Sequence, residues 1–501
     1  MEGGILVITF HAATHTEALE RAEKAVQKAV QKAQKSEYRH QYHFMAPAGW
    51  INDPNGLIYY QDEYHLFYQY NPYSAQWDSM HWGHAKSRDL IHWEHLPIAL
   101  APSEDYDWYG CFSGTSFVHN GKLFLFYCGT YYVGEQLVQC QCMAYTEDGI
   151  HFIKSKDNPI IAMPPAHCTF DFRDPSVFEK DGTVYMLIAS ATTDGHGCVL
   201  LYTADDDSLA HWTFRNNFAE AHGELGDIWE CPCLCPLGEK DALFLSAMHA
   251  GGRRVPYLLG NVDYDAGRLY WNGIGEADWG FDFYAPQIIC DEKGRNVMIG
   301  WMNSWKWVEG FAGFGLESQD GWCGSMAFPR TVRLSSDKTT LLFEPVEEIM
   351  CLRRKKKEVG RTEIENNMEM EIPTERTSSM EIRVLFDKQA STATECGFVL
   401  RNRKQECSRI RWCRRYGQLI IERTAENGTP QSKTVDFDTA GCTEVDFRLL
   451  IDTCSVEIFA LAGKFSFTYR LYGNPCSGGC FVYTQDGRTI ITEMESFVLE
   501  N

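Results

Sequence analysis

From about residue 40 to residue 335, short apolar and aromatic runs the length of a β-strand alternate with clusters of turn residues. One layout recurs five times: a polar head, a strand, a tight turn and a second strand. Asp53-Pro54-Asn55-Gly56 leads into LIYY, the turn Gln61-Asp62-Glu63 and YHLFYQY. Ser113-Gly114 leads into TSFV, the turn His119-Asn120-Gly121-Lys122 and LFLFYCG. Asp174-Pro175 leads into SVF, an Asp181-Gly182 turn and TVYMLIAS. Glu230-Cys231-Pro232 leads into CLCPL, the turn Gly238 to Asp241 and ALFLSAM, and Tyr284-Ala285-Pro286 into QIIC, the turn Asp291 to Arg295 and NVMIGWM. Heads at 53, 113, 174, 230 and 284 give steps of 60, 61, 56 and 54 residues, about four strands each. Spacing of that size predicts a five-bladed β-propeller.

Two flanking regions differ. Residues 14–35 predict a helix: Thr14 and Glu17 form a capping box, and Leu19, Ala22, Val26, Ala29 and Ala33 form an apolar stripe. Its expected role is to pack on the main domain or on a partner. After residue 345 come small β-branched and aromatic strands, such as ECGFVLR (395–401), VDFRLLID (445–452) and KFSFTYRL (464–471), which predict a β-sandwich. The expected organisation is an all-β chain with a helical arm over 1–36, a propeller over 37–343, a short helical linker over 344–358 and a sandwich over 359–501, the last structural or accessory.

Composition narrows the functional classes. The 501 residues are 44% hydrophobic and carry a net charge of 46 − 68 = −22, which argues against nucleic acid or an anionic membrane as main partner. The basic run Arg353 to Lys357 reads as a solvated linker face. No window of about 18 apolar residues spans a membrane, and Met1-Glu2-Gly3-Gly4 lacks the positive start of an export signal, so a cytoplasmic protein is expected. The 19 cysteines are then reduced thiols; Cys140-x-Cys142 and Cys231-x-Cys233-x-Cys235 read as strand alternation rather than zinc sites. Asn427-Gly428 reads as a turn. Homo-oligomers are compatible with all of this.

In a propeller the innermost strands line a central channel, so heads opening those strands converge at one end. Proline disfavours helix in the residue before it and is tolerated at a strand's first position, which marks Asp53 and Asp174 as extended residues at strand starts. With Glu230 they predict three carboxyl groups facing one pocket. Like charges held close raise at least one pKa and supply an acid beside a base or nucleophile, the chemistry of glycoside hydrolysis. Trp50, Trp77, Trp82, Trp108, Trp229 and Trp301 are available to stack on sugar faces, about two of them in contact with substrate, and Asn52, Gln69, Ser113 and Arg173 can bond hydroxyls. Metal binding is the competing reading of three acids, but no loop resembles D-x-[DN]-x-[DN]-G; no metal and no cofactor are expected. Ser113 is not in a G-x-S-x-G elbow, and Gly195-His196-Gly197 lacks the strand–helix setting of a phosphate loop.

WINDPNG (50–56), FYQYNP (67–72), HWGHAKSRDLIHWEHLPIAL (81–100), FSGT (112–115), RDP (173–175), WECP (229–232), DFYAPQ (282–287) and IDTCSVEIF (451–459) together resemble the ordered motifs of glycoside hydrolase family 32, the β-fructofuranosidases. The resemblance runs from about Gln41 to the C-terminus. It implies Asp53 as nucleophile, Glu230 as acid/base, Asp174 as transition-state stabiliser, retention through a covalent fructosyl-enzyme, and Asn52, Gln69, Trp77, Phe112, Ser113, Arg173, Tyr284 and Trp301 as sugar-binding positions. Two departures, Asp78-Ser79 after Trp77 and Cys233-Leu234-Cys235 after WECP, fall where the leaving group should sit. The implied substrate is sucrose or sucrose 6-phosphate, with His81, Lys86, Arg253, Arg254 and Lys306 as candidate cations for a phosphate. An exo-acting fructanase, a transfructosylase, a non-catalytic sugar-binding propeller and an inverting arabinose-type furanosidase stay open.

Overall fold

The computed structural model describes residues 14–501 except 222, 224, 252, 253, 309, 310, 312, 376, 403–405, 426, 427 and 472–476; Arg253 and Asn427 therefore lie outside the described residues. The predicted helix runs from His15 to Ala33, with the Thr14 hydroxyl accepting the Glu17 amide at 3.2 Å. Ala22 is buried against the first sheet, with Leu19 and Val26 half-buried beside it. The Ile98 amide donates to Glu23 Oε1 at 2.7 Å, and Lys32 Nζ donates to the Gln319 carbonyl at 2.5 Å. The arm thus packs on the main body.

Each repeat folds into its own antiparallel sheet. The first joins Gly49–Tyr60, Glu63–Asn71, His81–Ser87 and Trp93–Leu100, and the short strand Trp322–Cys323 completes it, paired parallel to Gly49–Tyr60. The next three are four-stranded and begin at Gly110, Cys168 and Ile228; the fifth begins at Tyr284 and ends with Leu341–Pro345. The first strands of successive sheets touch one another, and that of the fifth touches that of the first. The two-residue turns form where Asn-Gly and Asp-Gly pairs take positive φ, at Asn120-Gly121 (49° and 77°) and Asp181-Gly182 (51° and 78°).

Every first strand breaks register near its head. The shifts fall between Ile51 and Pro54, Phe112 and Gly114, Arg173 and Ser176, Glu230 and Cys233, and Tyr284 and Gln287. Such bulges re-aim side chains without ending the strand. Asp174, Cys231 and Ala285 take φ of 60°, 49° and 49° to make theirs, so Asp174 is not the extended strand-start residue that Pro175 suggested but a left-handed bulge residue inside the strand from Cys168 to Lys180. Gly114 makes its own by close approach, since a Cβ there would lie 1.9 Å from the Phe126 carbonyl oxygen.

Beyond residue 345 the expected helical linker shrinks to a 3-10 turn, Glu347–Leu352. The basic run is not linker at all. Arg353–Val359 is an edge strand paired with Thr489–Leu499, its cations solvated or held by Glu381 and Glu495. Charge on an edge strand discourages edge-to-edge pairing, a use of lysine that composition does not distinguish from a linker. This strand belongs to a seven-stranded sheet that shares one apolar core with a six-stranded sheet; Ile382, Val384, Leu449 and Ile458 of one meet Phe398, Ile410, Trp412 and Leu419 of the other. Cys140, Cys142, Cys231, Cys233 and Cys235 are buried free thiols on strands, as alternation predicts. No described helix is long and apolar enough to cross a membrane.

Candidate active site

The bulged heads surround a cavity of about 670 Å³ lined by Asn52, Asp53, Gln69, Trp77, Phe112, Ser113, Arg173, Asp174 and Glu230 among others. Three carboxylates from three sheets therefore face one space. They do not occupy one register position, as the spacing suggested. Glu230 is the last paired residue before its bulge, Asp174 the first residue inside its bulge, and Asp53 the second. The offset lets side chains of different length reach the same space.

Their surroundings differ. Asp53 Oδ2 accepts the Ser113 hydroxyl at 2.6 Å, and Cys231 Sγ lies 3.8 Å away. Asp174 Oδ2 accepts the Cys231 amide at 2.9 Å, with Cys231 Sγ at 3.5 Å. Glu230 Oε2 accepts the Tyr284 hydroxyl at 2.6 Å and its Oε1 accepts Arg173 Nε at 3.1 Å. Burial pushes the Asp53 carboxyl up to about 6, assisted by the charge of Glu230 and opposed by the hydrogen bonds of Ser113 and Asn52. Burial, with Glu230 and Asp53 adding repulsion, raises Asp174 to about 7 although the Arg173 guanidinium pulls the other way. Arg173 is itself held cationic against burial by Glu230, Asp174 and Asp171. Among the described residues, the Arg173 guanidinium is shared by Asp171, Asp174 and Glu230, which leaves the buried pair Asp53 and Asp174 short of positive charge and above the ordinary carboxylate range.

The remaining expected residues divide. Asn52 Oδ1 accepts Trp50 Nε1 at 2.7 Å, and Gln69 Nε2 donates to the Cys111 carbonyl at 3.0 Å, which fixes both amides in the wall. Tyr284 is buried behind Glu230 and reaches the cavity only through that carboxyl. Trp301 is a correction. It is fully buried, packed between Trp50 and Trp305 at ring distances of 5.8 and 4.9 Å, and does not line the cavity. Trp50, Trp82 and Trp229 are likewise core, so Trp77 is the one member of the sequence-derived tryptophan set in the wall.

Sequence reasoning missed Trp305, Trp307, Asp171, Gln139 and Met248, which also line the cavity. Alternation held the signal for Asp171, two residues before Arg173 on one strand and bonded to it at 2.8 Å. Trp305 and Trp307 stack at 5.0 Å in the turn that follows the strand Asn296–Met302, where strand alternation gives no signal. Of the candidate cations, Lys306 lines the cavity; Lys86 pairs with Glu63, and Arg254 donates to the Gly280 carbonyl. His81 is buried with its imidazole lowered to about 4, chiefly by burial. Among the described residues, two groups place three metal-ligand side chains within reach of one ion: His40, His43 and Asp452, and Asp89, His92 and Cys351. Neither lies in the cavity, and both ring nitrogens of His43 already bond carboxylates.

A wall of half-exposed aromatic rings around convergent carboxylates defines a carbohydrate-cleaving class of site. Comparison with known proteins gives the family. The model described as glycosyl hydrolases family 32 N-terminal domain matches residues 43–345, and that of the family 32 C-terminal domain matches 337–497. The chain belongs to glycosyl hydrolase family 32 and is a glycosidase. A sucrose-6-phosphate hydrolase of Escherichia coli is 32% identical over 491 residues, covering 94% of this chain and 97% of that protein. The solved Bombyx mori GH32 β-fructofuranosidase superposes with a TM-score of 0.83 at 29% identity, covering 97% of this chain and 99% of its own. A mutant of that enzyme in complex with sucrose gives a TM-score of 0.82 at 30% identity, covering 97% and 98%.

Proposed function

We propose that this chain is a retaining β-fructosidase that releases β-D-fructosyl units from sucrose or sucrose 6-phosphate. The observation that carries the reading is the unequal pair formed by Asp53, buried and held by Ser113, and Glu230, gripped by Tyr284 and Arg173, in the wall of one cavity. In this reading the five sheets are the blades of a propeller over 37–343, and the two later sheets form a sandwich over 359–501. The sequence of first-strand contacts that returns to the first sheet supports it. The buried free thiols support a reducing, cytoplasmic setting.

The ionised Asp53 carboxylate attacks the anomeric carbon of the fructosyl unit while Glu230 protonates the departing glycosidic oxygen. The C–O bond to the leaving group breaks as the ester to Asp53 forms. Glu230, now ionised, takes a proton from water, and the hydroxide attacks the same carbon and releases Asp53 as carboxylate. Asp174 accepts hydrogen bonds from sugar hydroxyls that tighten as positive charge builds on the ring. Lys306 supplies the wall with a cation that suits a phosphorylated leaving group.

The test is sugar release from sucrose and sucrose 6-phosphate, with NMR of the first anomer formed. Retention is expected, with Asp53→Asn essentially inactive and Lys306→Ala losing preference for the phosphorylated sugar. Activity surviving in Asp53→Asn, or an inverted product, overturns the reading.

A further inference from the structure

One turn of the chain occurs twice and acquires a thiol once. In residues 89–92 the Asp89 Oδ1 accepts the Ile91 and His92 amides at 3.0 and 2.8 Å, and Oδ2 meets His92 Nδ1 at 2.6 Å. In residues 148–151 the Asp148 Oδ1 accepts the Ile150 and His151 amides, both at 2.8 Å, and Oδ2 meets His151 Nδ1 at 2.7 Å. Such a turn is complete without a ligand, since the amides already hold the carboxylate. At the first turn, Cys351 comes in from the 3-10 turn Glu347–Leu352, and ligand atoms of Asp89, His92 and Cys351 lie within 4.8 Å of one another. Among the described residues no cysteine joins Asp148 and His151 in such a group.

The two segments that carry these side chains are fixed to each other. Leu90 and Ile91, between Asp89 and His92, are buried in one apolar cluster with Ile349 and Leu352, which bracket Cys351. The polar side chains face outward: that of His92 is 53% exposed, and Cys351 is an exposed free thiol. A carboxylate oxygen, an imidazole nitrogen and a thiolate are ligands of zinc, which holds nitrogen and oxygen at about 2.0 Å and sulfur at about 2.3 Å, so that tetrahedral neighbours stand about 3–4 Å apart. Seating the ion between Asp89 Oδ2 and His92 Nδ1 opens that contact by about 0.7 Å, a small turn for exposed side chains. The amides on Oδ1 keep the carboxylate aimed while it happens.

We infer that Asp89, His92 and Cys351 form a three-ligand site for a zinc ion, with water in the fourth position, which ties a turn of the first sheet to the 3-10 turn ahead of the two C-terminal sheets. Asp89 binds through Oδ2, His92 as a neutral imidazole through Nδ1, and Cys351 as a thiolate whose proton leaves to solvent as the ion enters. None of the three lines the cavity, so the site stands apart from the fructosidase reading.

The experiment loads the reduced full chain with zinc, or with cobalt as a coloured stand-in, and measures the metal retained after dialysis. One equivalent is expected, together with thiolate-to-cobalt charge-transfer absorption in the near ultraviolet and a melting temperature that rises with zinc concentration. Cys351→Ser should weaken binding by at least about tenfold and abolish the absorption, and His92→Ala should weaken binding by a similar factor. Cys290→Ser, at a second exposed cysteine, and His151→Ala, in the twin turn, should bind as the parent does. Excess calcium, which takes oxygen ligands, should not displace the ion. No uptake by the parent, uptake unchanged in Cys351→Ser, or an equal loss in Cys290→Ser or His151→Ala overturns the inference. If Cys351→Ser does not fold, retained metal and the melting shift in His92→Ala decide.

Discussion

Buried carboxylates occur in two places in this molecule. In the cavity, Asp53 and Asp174 are pushed up to about 6 and 7, because burial and repulsion from Glu230 outweigh the hydrogen bonds of Ser113 and Asn52 at Asp53 and the Arg173 guanidinium at Asp174. At the seam between the first five sheets and the C-terminal pair, Asp452 and Glu457 are as deeply buried and are held below the usual carboxylate range. The difference lies in the partners. Burial alone would raise them, but Asp452 accepts His43 Nδ1 at 2.8 Å and the Gln41 amide at 2.9 Å, and Glu457 takes His43 Nε2 at 2.8 Å and Arg330 at 2.7 Å. His43, between two carboxylates, is raised to about 9 in spite of its burial. Burial sets the stakes and pairing sets the sign: the paired cluster joins two parts of a fold, and the under-paired one is left above the ordinary carboxylate range.

The seam also reaches the cavity. Arg470, on a strand of the seven-stranded sheet, donates to the Phe314 carbonyl at 2.8 Å and pairs with buried Glu317, and both Phe314 and Ser318 line the cavity. The sheet pair expected to be accessory therefore holds one wall of the site.

The largest expected effect comes from neutralising the under-paired cluster. Asp53→Asn should lower kcat by about a thousandfold or more while leaving the melting temperature equal or higher, because it removes a charge that the fold does not compensate. A large loss of stability would mean that the cavity and the seam do not differ as described. Next, Asp452→Ala leaves the His43 imidazolium short of one partner and should cost about 3–5 kcal/mol in denaturant unfolding, with activity per folded molecule kept.

The two regions should also answer pH with opposite sign. Because Asp53 and Asp174 are raised in the folded state, their ionisation costs stability; the cost is absent below about 4 and grows toward pH 6 and 7, by about 1.4 kcal/mol per unit for each group. The stability gained by Asp53→Asn should therefore vanish near pH 4 and level off above about 6. The lowered Asp452 and Glu457 contribute stability above the ordinary carboxylate value, lost as pH falls through their depressed ones; the share of His43 is full below about 6.5 and is lost as pH rises through about 9. Thermal melts from pH 3 to 10 would separate these windows. The acid limb of kcat/KM should fall near 6 to 7, where the cavity carboxylates titrate. The smallest effect belongs to an exposed pair, Lys24 with Glu20 at 3.3 Å on the helical arm, where Glu20→Gln should shift stability by no more than about 0.5 kcal/mol.

The fivefold layout, the Asn120-Gly121 and Asp181-Gly182 turns, the helix cap at Thr14 and the alternating cysteines were all legible in the chain, because each is a rule about neighbours two to four residues apart. The three carboxylates were legible for a related reason, since a head repeated at near-constant spacing must come round to the same end of its sheet. What failed was finer. Trp301 looks like a wall residue and is core, while Trp305 and Trp307 line the wall, because the rings of the turn after residue 302 are placed by tertiary packing and carry no periodicity to read. Arg353 to Lys357 looked like linker because a solvated edge strand and a solvated coil have the same composition.

By itself the sequence determined the strands, the turns and which acids come together, since periodicity and turn chemistry are local. The tertiary structure alone decided which of those acids would be strained. Whether a buried carboxylate sits above or below its ordinary pKa depends on partners brought from more than a hundred residues away, such as His43 beside Asp452, 409 positions apart, and Arg330 beside Glu457, 127 apart.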